Sequence, residues 1–247
     1  MSKTLTLIPS RLSASRLPGK PLLEINGIPI ILHVVNKAIS TKIGRVIVAT
    51  EDIEIFNVIK KSGNEVVMTG SHHKTGTDRI YEVLEKMKID ETEYIINLQG
   101  DEPLINPDDI INLNNLVLKN NYEFSTMAIK FKRKEDIQNE NVVKVVTEKK
   151  LEKNILVKAN NFVRKIDPKN QNNFYHHIGI YQFNISTLEK FVKLPQSENE
   201  KKKKLEQMRA LDNNININVA LAKSHYKGVD TKEDFLAMKK IMEYNKS

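Results

Sequence analysis

Short apolar runs separated by amphipathic stretches fill the first half of the chain. Leu5-Thr6-Leu7-Ile8 reads as a first strand that Pro9 stops, and Pro29 opens a helix in the first-turn position proline favours. Arg45–Ala49 reads as a second buried strand, Ile53–Lys61 as a short helix and Glu65–Met68 as a third strand. Thr77 can cap the next helix, on which Ile80, Val83, Leu84 and Met87 share one face. Tyr94–Leu98 gives a fourth strand, and Pro107 opens another helix. Such alternation implies βαβ units and a largely parallel sheet.

The pattern changes after about Glu123. Phe124–Phe131, Val142–Thr147 and Tyr175–Phe183 read as strands without regular intervening helices. The stretch Lys149–Asn173 is Asn- and Lys-rich and resists assignment. Helices return at Ser186–Val192 and Glu200–Leu211, then a strand at Ile215–Ala222 and a closing helix from Thr231. One mononucleotide-binding core is expected, with an inserted segment at roughly residues 150–200 that could form a subunit interface.

Composition narrows the possibilities. At 247 residues the chain can bury a substantial core. It has no apolar run long enough for a membrane span and no signal-peptide shape, so a cytoplasmic protein is expected. The absence of cysteine excludes disulfides, thiolate metal sites and a cysteine nucleophile. A formal charge of +8 would attract anions, nucleic acid included. Aromatic residues make up only 6% and Trp is absent, which argues against base stacking, and the Lys149–Lys153 and Lys201–Lys204 blocks read as solvated faces.

The chemistry concentrates in a few loops. The segment after the first strand carries Arg11, Arg16 and Lys20 among small residues, and cations at a strand end suit a polyphosphate, with a solvated basic loop as the alternative. Gln99-Gly100-Asp101 follows strand four, so Asp101 is placed either to hold a cation such as Mg2+ or to cap a turn. Asp230 in Gly228-Val229-Asp230-Thr231 reads as a helix cap on its own, and as a second metal carboxylate when taken with Asp101. Thr75-Gly76-Thr77-Asp78-Arg79 enters a helix and can present backbone amides to an anion. In His176-His177-Ile178-Gly179-Ile180-Tyr181, alternation puts His177, Gly179 and Tyr181 on one face. There His177 serves either as a ligand contact or as a satisfied structural histidine. Gln207 and Arg209 lie on an amphipathic helix, where surface positions are expected. Neither a dinucleotide fingerprint nor a Walker loop is present.

These segments, together with Asn26-Gly27-Ile28-Pro29, Val48-Ala49-Thr50, Asn141–Val146 and Leu205–Arg209, stand in the order found in one family. The chain resembles the 3-deoxy-manno-octulosonate cytidylyltransferase (CMP-Kdo synthetase) family from end to end. That resemblance implies a Rossmann-like α/β nucleotidyltransferase of the glycosyltransferase-A type. It would be a single domain over residues 1–247, with a mixed, mostly parallel central sheet and an inserted dimerisation segment. The implied reaction moves CMP from CTP to the anomeric hydroxyl of Kdo, releasing pyrophosphate, in lipopolysaccharide synthesis. By position, Arg11, Arg16 and Lys20 would hold the triphosphate, with Thr75, Gly76, Arg79 and Gln99 around the nucleotide. Asp101 and Asp230 would hold Mg2+, and His177, Tyr181, Gln207 and Arg209 would line the sugar-acid pocket. Arg11, Lys20, Asp101 and Asp230 would be catalytic. A homodimer with no nucleic-acid or membrane partner is implied.

The chain departs from the family pattern at Leu156–Phe162, where an aromatic-Ser-Arg segment ending in Ile-Pro is usual. It also departs at Glu51 (usually Asp), at Lys74 (often Gln) and at Lys201–Lys204. The first departure leaves room for a related acceptor, an amino-Kdo or sialic-type acid. A basic nucleic-acid-binding protein is the alternative from another class.

Overall fold

The first apolar run forms β1 (Thr4–Ser10), buried along its whole length. In the computed structural model, residues 3–13, 16–87, 89, 91–166, 173–224 and 228–244 are described. A 3-10 turn (Lys20–Leu22) and a hairpin of β2 (Glu24–Ile25) and β3 (Ile28–Pro29) lead into α1 (Ile30–Ser40). The hairpin turns on Asn26 and Gly27, at φ 54° and 73°, the left-handed pair that a tight two-residue turn needs. Then come β4 (Val46–Thr50), α2 (Ile53–Lys61), β5 (Glu65–Met68), α3 (Gly76–Lys86) and β6 (Tyr94–Asn97).

The chain divides into two compact units: residues 1–108 with 226–247, and residues 109–225. In the first, β4 pairs with β1 and β5, and β1 also pairs with β6, all parallel, giving the order β5-β4-β1-β6. Chain direction across the sheet reverses beside β1. Doubly wound sheets bind ligands at this switch point, outside the carboxyl ends of the strands.

Two local expectations are corrected here. Pro9 does not stop β1: it pairs with Ala49, and Ser10 with Thr50. The register with β6 ends two residues before Pro9, at Leu7 opposite Asn97, so Pro9 is not asked for the N–H it lacks. The cap of α3 is Thr75, whose hydroxyl accepts from the Asp78 amide, while Thr77 is buried and accepts from the Asn97 side chain at 3.0 Å.

The second unit begins in α4 (Pro107–Asn120) and continues through β7 (Phe124–Ile129), α5 (Lys134–Gln138) and β8 (Lys144–Thr147). It goes on to β9 (Leu156–Val163), β10 (Phe174–Asn184), α6 (Ile185–Lys193), α7 (Glu198–Lys203), α8 (Met208–Asp212) and β11 (Asn218–Leu221). β10 runs antiparallel to β7 and β8, and β11 runs parallel to β7 and antiparallel to β9. Because β8 and β9 also pair, the five strands close into a cycle. β9 lies in the stretch that resisted assignment. Its Val157, Ala159 and Phe162 are buried while Lys158 and Asn160 are exposed, so polar outward residues masked the strand. Residues 167–172 of that stretch lie outside the described residues. The expected 150–200 insertion falls wholly within the second unit.

The helix expected over Glu200–Leu211 is two helices. α7 ends at Lys203, and the residue that follows, Lys204, sits at φ 54°. Arg164 caps the break by donating to the Lys203 carbonyl at 2.7 Å and the Lys204 carbonyl at 3.1 Å. The chain can then fold back, and Arg209 reaches Glu200 through two bonds of 2.9 and 2.7 Å. Both side chains are about 97% buried, and the guanidinium stacks over Phe191 at 4.6 Å. Gln207 and Arg209 are therefore interior residues, against the surface positions expected of them. Of the lysine block, Lys201, Lys202 and Lys204 are exposed as expected, but Lys203 is half-buried and donates to Asn161 at 2.9 Å.

A buried pair of this kind is costly to break on one side only, by about 3–5 kcal/mol. Glu200→Gln keeps the side chain's shape and should lower unfolding free energy by about that amount. The double variant Glu200→Gln/Arg209→Met should recover part of the loss. Urea denaturation of the three proteins checks this, and a loss below about 1 kcal/mol for Glu200→Gln would contradict it.

Candidate active site

In the first unit, the loop after β1 is tied at both ends. The Leu12 amide donates to the Asp52 carboxylate at 2.8 Å, just past β4, and the Gly19 amide donates to the Leu12 carbonyl at 3.0 Å. This holds Arg11, Arg16 and Lys20 along one cleft of about 360 Å³ at the carboxyl ends of β1 and β6. The volume is within the range of ligand sites. Gly100 closes the floor: a Cβ there would lie 2.9 Å from Ile31 Cδ1 and 3.1 Å from the Pro9 carbonyl. The Ser10 hydroxyl, buried in the cleft wall, makes no hydrogen bond in the structure.

Two distant segments bring acid to this cleft. Asp101 follows β6, and Asp230 precedes the last helix, α9 (Lys232–Tyr244). The Val229 amide donates to the Asp101 carbonyl at 2.9 Å, and Val229 packs with Ile25, Ile30 and Met238 in an apolar cluster. Capping of α9 is done by other residues. The Thr231 hydroxyl accepts from the Asp234 amide at 3.1 Å, and the Asp234 carboxylate accepts from the Thr231 amide at 3.0 Å. The side chain of Asp230 is thereby left for the cleft.

There the Lys20 ammonium donates to both carboxylates, at Asp101 Oδ2 and at Asp230 Oδ1 (3.3 Å), and to the Val229 carbonyl at 3.0 Å. Arg16 takes the other oxygen of Asp230 at 2.9 Å. Burial by itself lowers the pKa of Lys20, but Asp101 and then Asp230 outweigh it and hold the ammonium above its ordinary value. Three oxygens around one cation are the hard donors that suit a divalent ion such as Mg2+. The residues present fit that group.

The opposite wall comes from α3 and the segment before it. Thr75 and Gly76 line the cleft at the start of the helix, and Gln99 leans on Asn97, donating at 3.3 Å. Arg79 also borders the cleft, but its guanidinium is buried and engaged by Glu51, by the Thr69 hydroxyl at 2.7 Å and by the Gly70 carbonyl at 3.2 Å. The departure at Glu51 thus has a structural partner. Sequence reasoning missed His73, which lines the cleft and pairs with Glu82. Burial would raise the pKa of Glu82, yet His73, Lys86 and the Gly70 amide together bring it down to about 2. The signal was available: a histidine two residues before the Thr75 cap, and a glutamate on the helix that follows.

The remaining predicted residues belong to the second unit. His177 and Tyr181 share a face, with ring centroids 5.7 Å apart, although the β10–β7 register shifts between Ile178 and Tyr181. Four steps on β10 match two on β7, so an even number of residues is inserted and the facing is kept. His176 points the other way and stacks on Phe131, as alternation requires. The His177 Nε2 meets the Thr126 hydroxyl at 2.9 Å, and that hydroxyl donates to the Ile180 carbonyl at 2.7 Å. His177 is therefore the donor in the first of these bonds. Tyr181 donates to Gln207 at 3.0 Å. Phe162, inside the segment that departs from the family pattern, packs edge-on against His177 at 5.0 Å.

The parallel order β5-β4-β1-β6, with clustered cations and converging carboxylates at the strand ends, suits phosphate chemistry, and the chain is a nucleotidyltransferase of the α/β class. The chain belongs to the cytidylyltransferase family, whose pattern it matches over residues 5–217. It is 42% identical to the 3-deoxy-manno-octulosonate cytidylyltransferase of Brucella ovis over 94% of this chain and 92% of that one. The Brucella anthropi protein of the same name is 43% identical over 94% and 93%. A solved structure of CMP:2-keto-3-deoxy-manno-octonic acid synthetase complexed with CTP is 33% identical, with a TM-score of 0.88, covering 99% of this chain and 100% of that chain. A cytidylyltransferase from Leptospira borgpetersenii, 19% identical with a TM-score of 0.63 over 99% and 88%, shares the fold.

Burial first, and the nearby His176 second, press the pKa of His177 down to about 3. Its folded pKa lies below the unfolded value near 6.5. The stability linked to its neutral form is complete above about pH 6.5 and falls as pH drops toward 3. The His177 ring resonances should show a neutral imidazole from pH 8 to below pH 5 by NMR. A midpoint near 6.5 would contradict the buried, hydroxyl-bonded placement.

Proposed function

We propose that this protein transfers CMP from CTP to the anomeric hydroxyl of 3-deoxy-D-manno-octulosonate, giving CMP-Kdo and pyrophosphate. One observation carries the reading. At the switch point of the sheet, two carboxylates from distant segments meet a single cation beside a loop bearing further cations. The names of the similar enzymes, and the CTP bound in the similar structure, supply the substrates.

In this reading Arg11, Arg16 and Lys20 bind the triphosphate, and Thr75, Gly76, Arg79 and Gln99 surround the nucleotide. His177 and Tyr181 serve the sugar acid, with Gln207 and Arg209 acting on it through their buried partners Tyr181 and Glu200. Asp101 and Asp230 would hold Mg2+, which when bound supplies charge neutralisation for the phosphates. The reaction needs no protein nucleophile. As the sugar oxygen bonds to the α-phosphorus it gives up its hydroxyl proton to water, the bond to the β-phosphate oxygen breaks and pyrophosphate leaves with its charge. Arg11 and Arg16 offset the repulsion between an anionic sugar and a polyanion. Each well-placed donor of this kind contributes about 3 kcal/mol to the transition state. The tied loop and the strand ends fix the reacting groups beforehand.

The same resemblance supports a homodimer formed through the 150–200 segment, in the cytoplasm, feeding lipopolysaccharide synthesis. Among the described residues, no helix is long and apolar enough to cross a membrane.

Incubation with CTP, Mg2+ and Kdo should release pyrophosphate stoichiometric with CMP-Kdo, and should do so faster than with amino-Kdo or a sialic acid. Asp101→Asn and Asp230→Asn should each lower kcat by about 100-fold or more while leaving the circular dichroism spectrum unchanged. Folded protein that releases no pyrophosphate with any of the three acceptors would defeat the proposal, and full turnover in both variants would remove the metal role.

A further inference from the structure

We propose that Lys20 is a built-in occupant of the Asp101–Asp230 pair, a positioning residue that a divalent cation must displace to sit between the two carboxylates. This rests on the metal role assigned above to those aspartates.

An ammonium has three N–H donors and no acceptor. Lys20 has three oxygens to meet them, from the Asp101 carboxylate, the Asp230 carboxylate and the Val229 carbonyl. Its side chain is only 13% exposed, so it is lodged in the gap and does not lie over it. Arg16 does not duplicate this role: it takes the outer oxygen, Asp230 Oδ2, while Lys20 takes Oδ1 and also reaches Asp101. Two carboxylates this close repel each other unless a cation stands between them. Lys20 thus holds the acidic pair together without metal, and an incoming ion competes with it for the same oxygens.

The backbone around Lys20 is fixed. The 3-10 turn over Lys20–Leu22 contains Pro21, and the Leu22 and Leu23 amides donate back to Gly19 and Lys20 at 3.0 and 3.2 Å. Motion is therefore left to the flexible four-carbon stem. A polyphosphate in the cleft offers the displaced ammonium a new anion. Metal and triphosphate then each ease the other's binding, a reciprocal coupling with Lys20 as the shared element. Metal alone binds against the lysine and is weakened by it.

The test uses Mn2+ alone, with the free ion measured by electron paramagnetic resonance on the full chain without nucleotide. Lys20→Met should bind Mn2+ about tenfold more tightly than the wild type. Adding Asp101→Asn to that variant should abolish the gain. In the wild type, reductive methylation followed by mass spectrometry should find Lys20 protected without metal and more reactive at saturating Mn2+, a readout independent of how the variant folds. Unchanged or weaker binding in folded Lys20→Met, or a Lys20 equally protected when Mn2+ is bound, overturns this inference alone. If Asp101→Asn and Asp230→Asn leave Mn2+ binding of the otherwise wild-type chain intact, the metal assignment falls and the inference falls with it.

Discussion

Electrostatic repulsion between two acids is the constraint on which the first unit is arranged. Asp101 and Asp230 are 129 positions apart in sequence, and each would be more comfortable in water by itself. They are held together by a lysine from a third segment, and that lysine is in turn held by a turn containing proline. Each of the three segments has an apolar or backbone anchor of its own. Val229 sits in the cluster with Ile25 and Ile30, Asp101 is bonded through its carbonyl, and the β1 loop is tied to Asp52. The hydrophobic core supplies the force that keeps like charges within reach of one another.

Much of the first unit could be read from the chain, for a physical reason. Its central strands β1, β4 and β6 are buried on both faces and its helices on one, so the residues alternate between continuous apolar runs and 3.6-residue periods. The boundaries of α2 and β5 were legible to the residue. The errors came where backbone bonding overrode residue type. Pro9 stays in β1 because its missing donor faces the end of the β6 register, and Thr75 displaces Thr77 as cap because Thr77 is needed inside by Asn97.

The second unit was harder to read because its polar residues face inward. Gln207 and Arg209 occupy helix positions that look exposed by composition, yet Tyr181 and Glu200 give them buried partners. Such pairings depend on residues far away in sequence, and no local pattern carries them. The break between α7 and α8 was hidden for the same reason, since the group that caps it, Arg164, comes from beyond β9. Within the candidate site, the cations and acids could be picked out by residue type. Which oxygen meets which nitrogen is a property of the fold.

Gly100 gives the cleft its gauge. A Cβ at Gly100 would crowd the Pro9 carbonyl at 3.1 Å, so the close approach of the segment after β6 to the end of β1 depends on glycine and sets main chain against main chain there. Main chain cannot yield by changing rotamer as side chains do. The spacing at that contact is therefore less adjustable than the side chains that line the cleft. Selectivity among triphosphates of different girth would then be altered more readily at the movable lining than at this fixed throat.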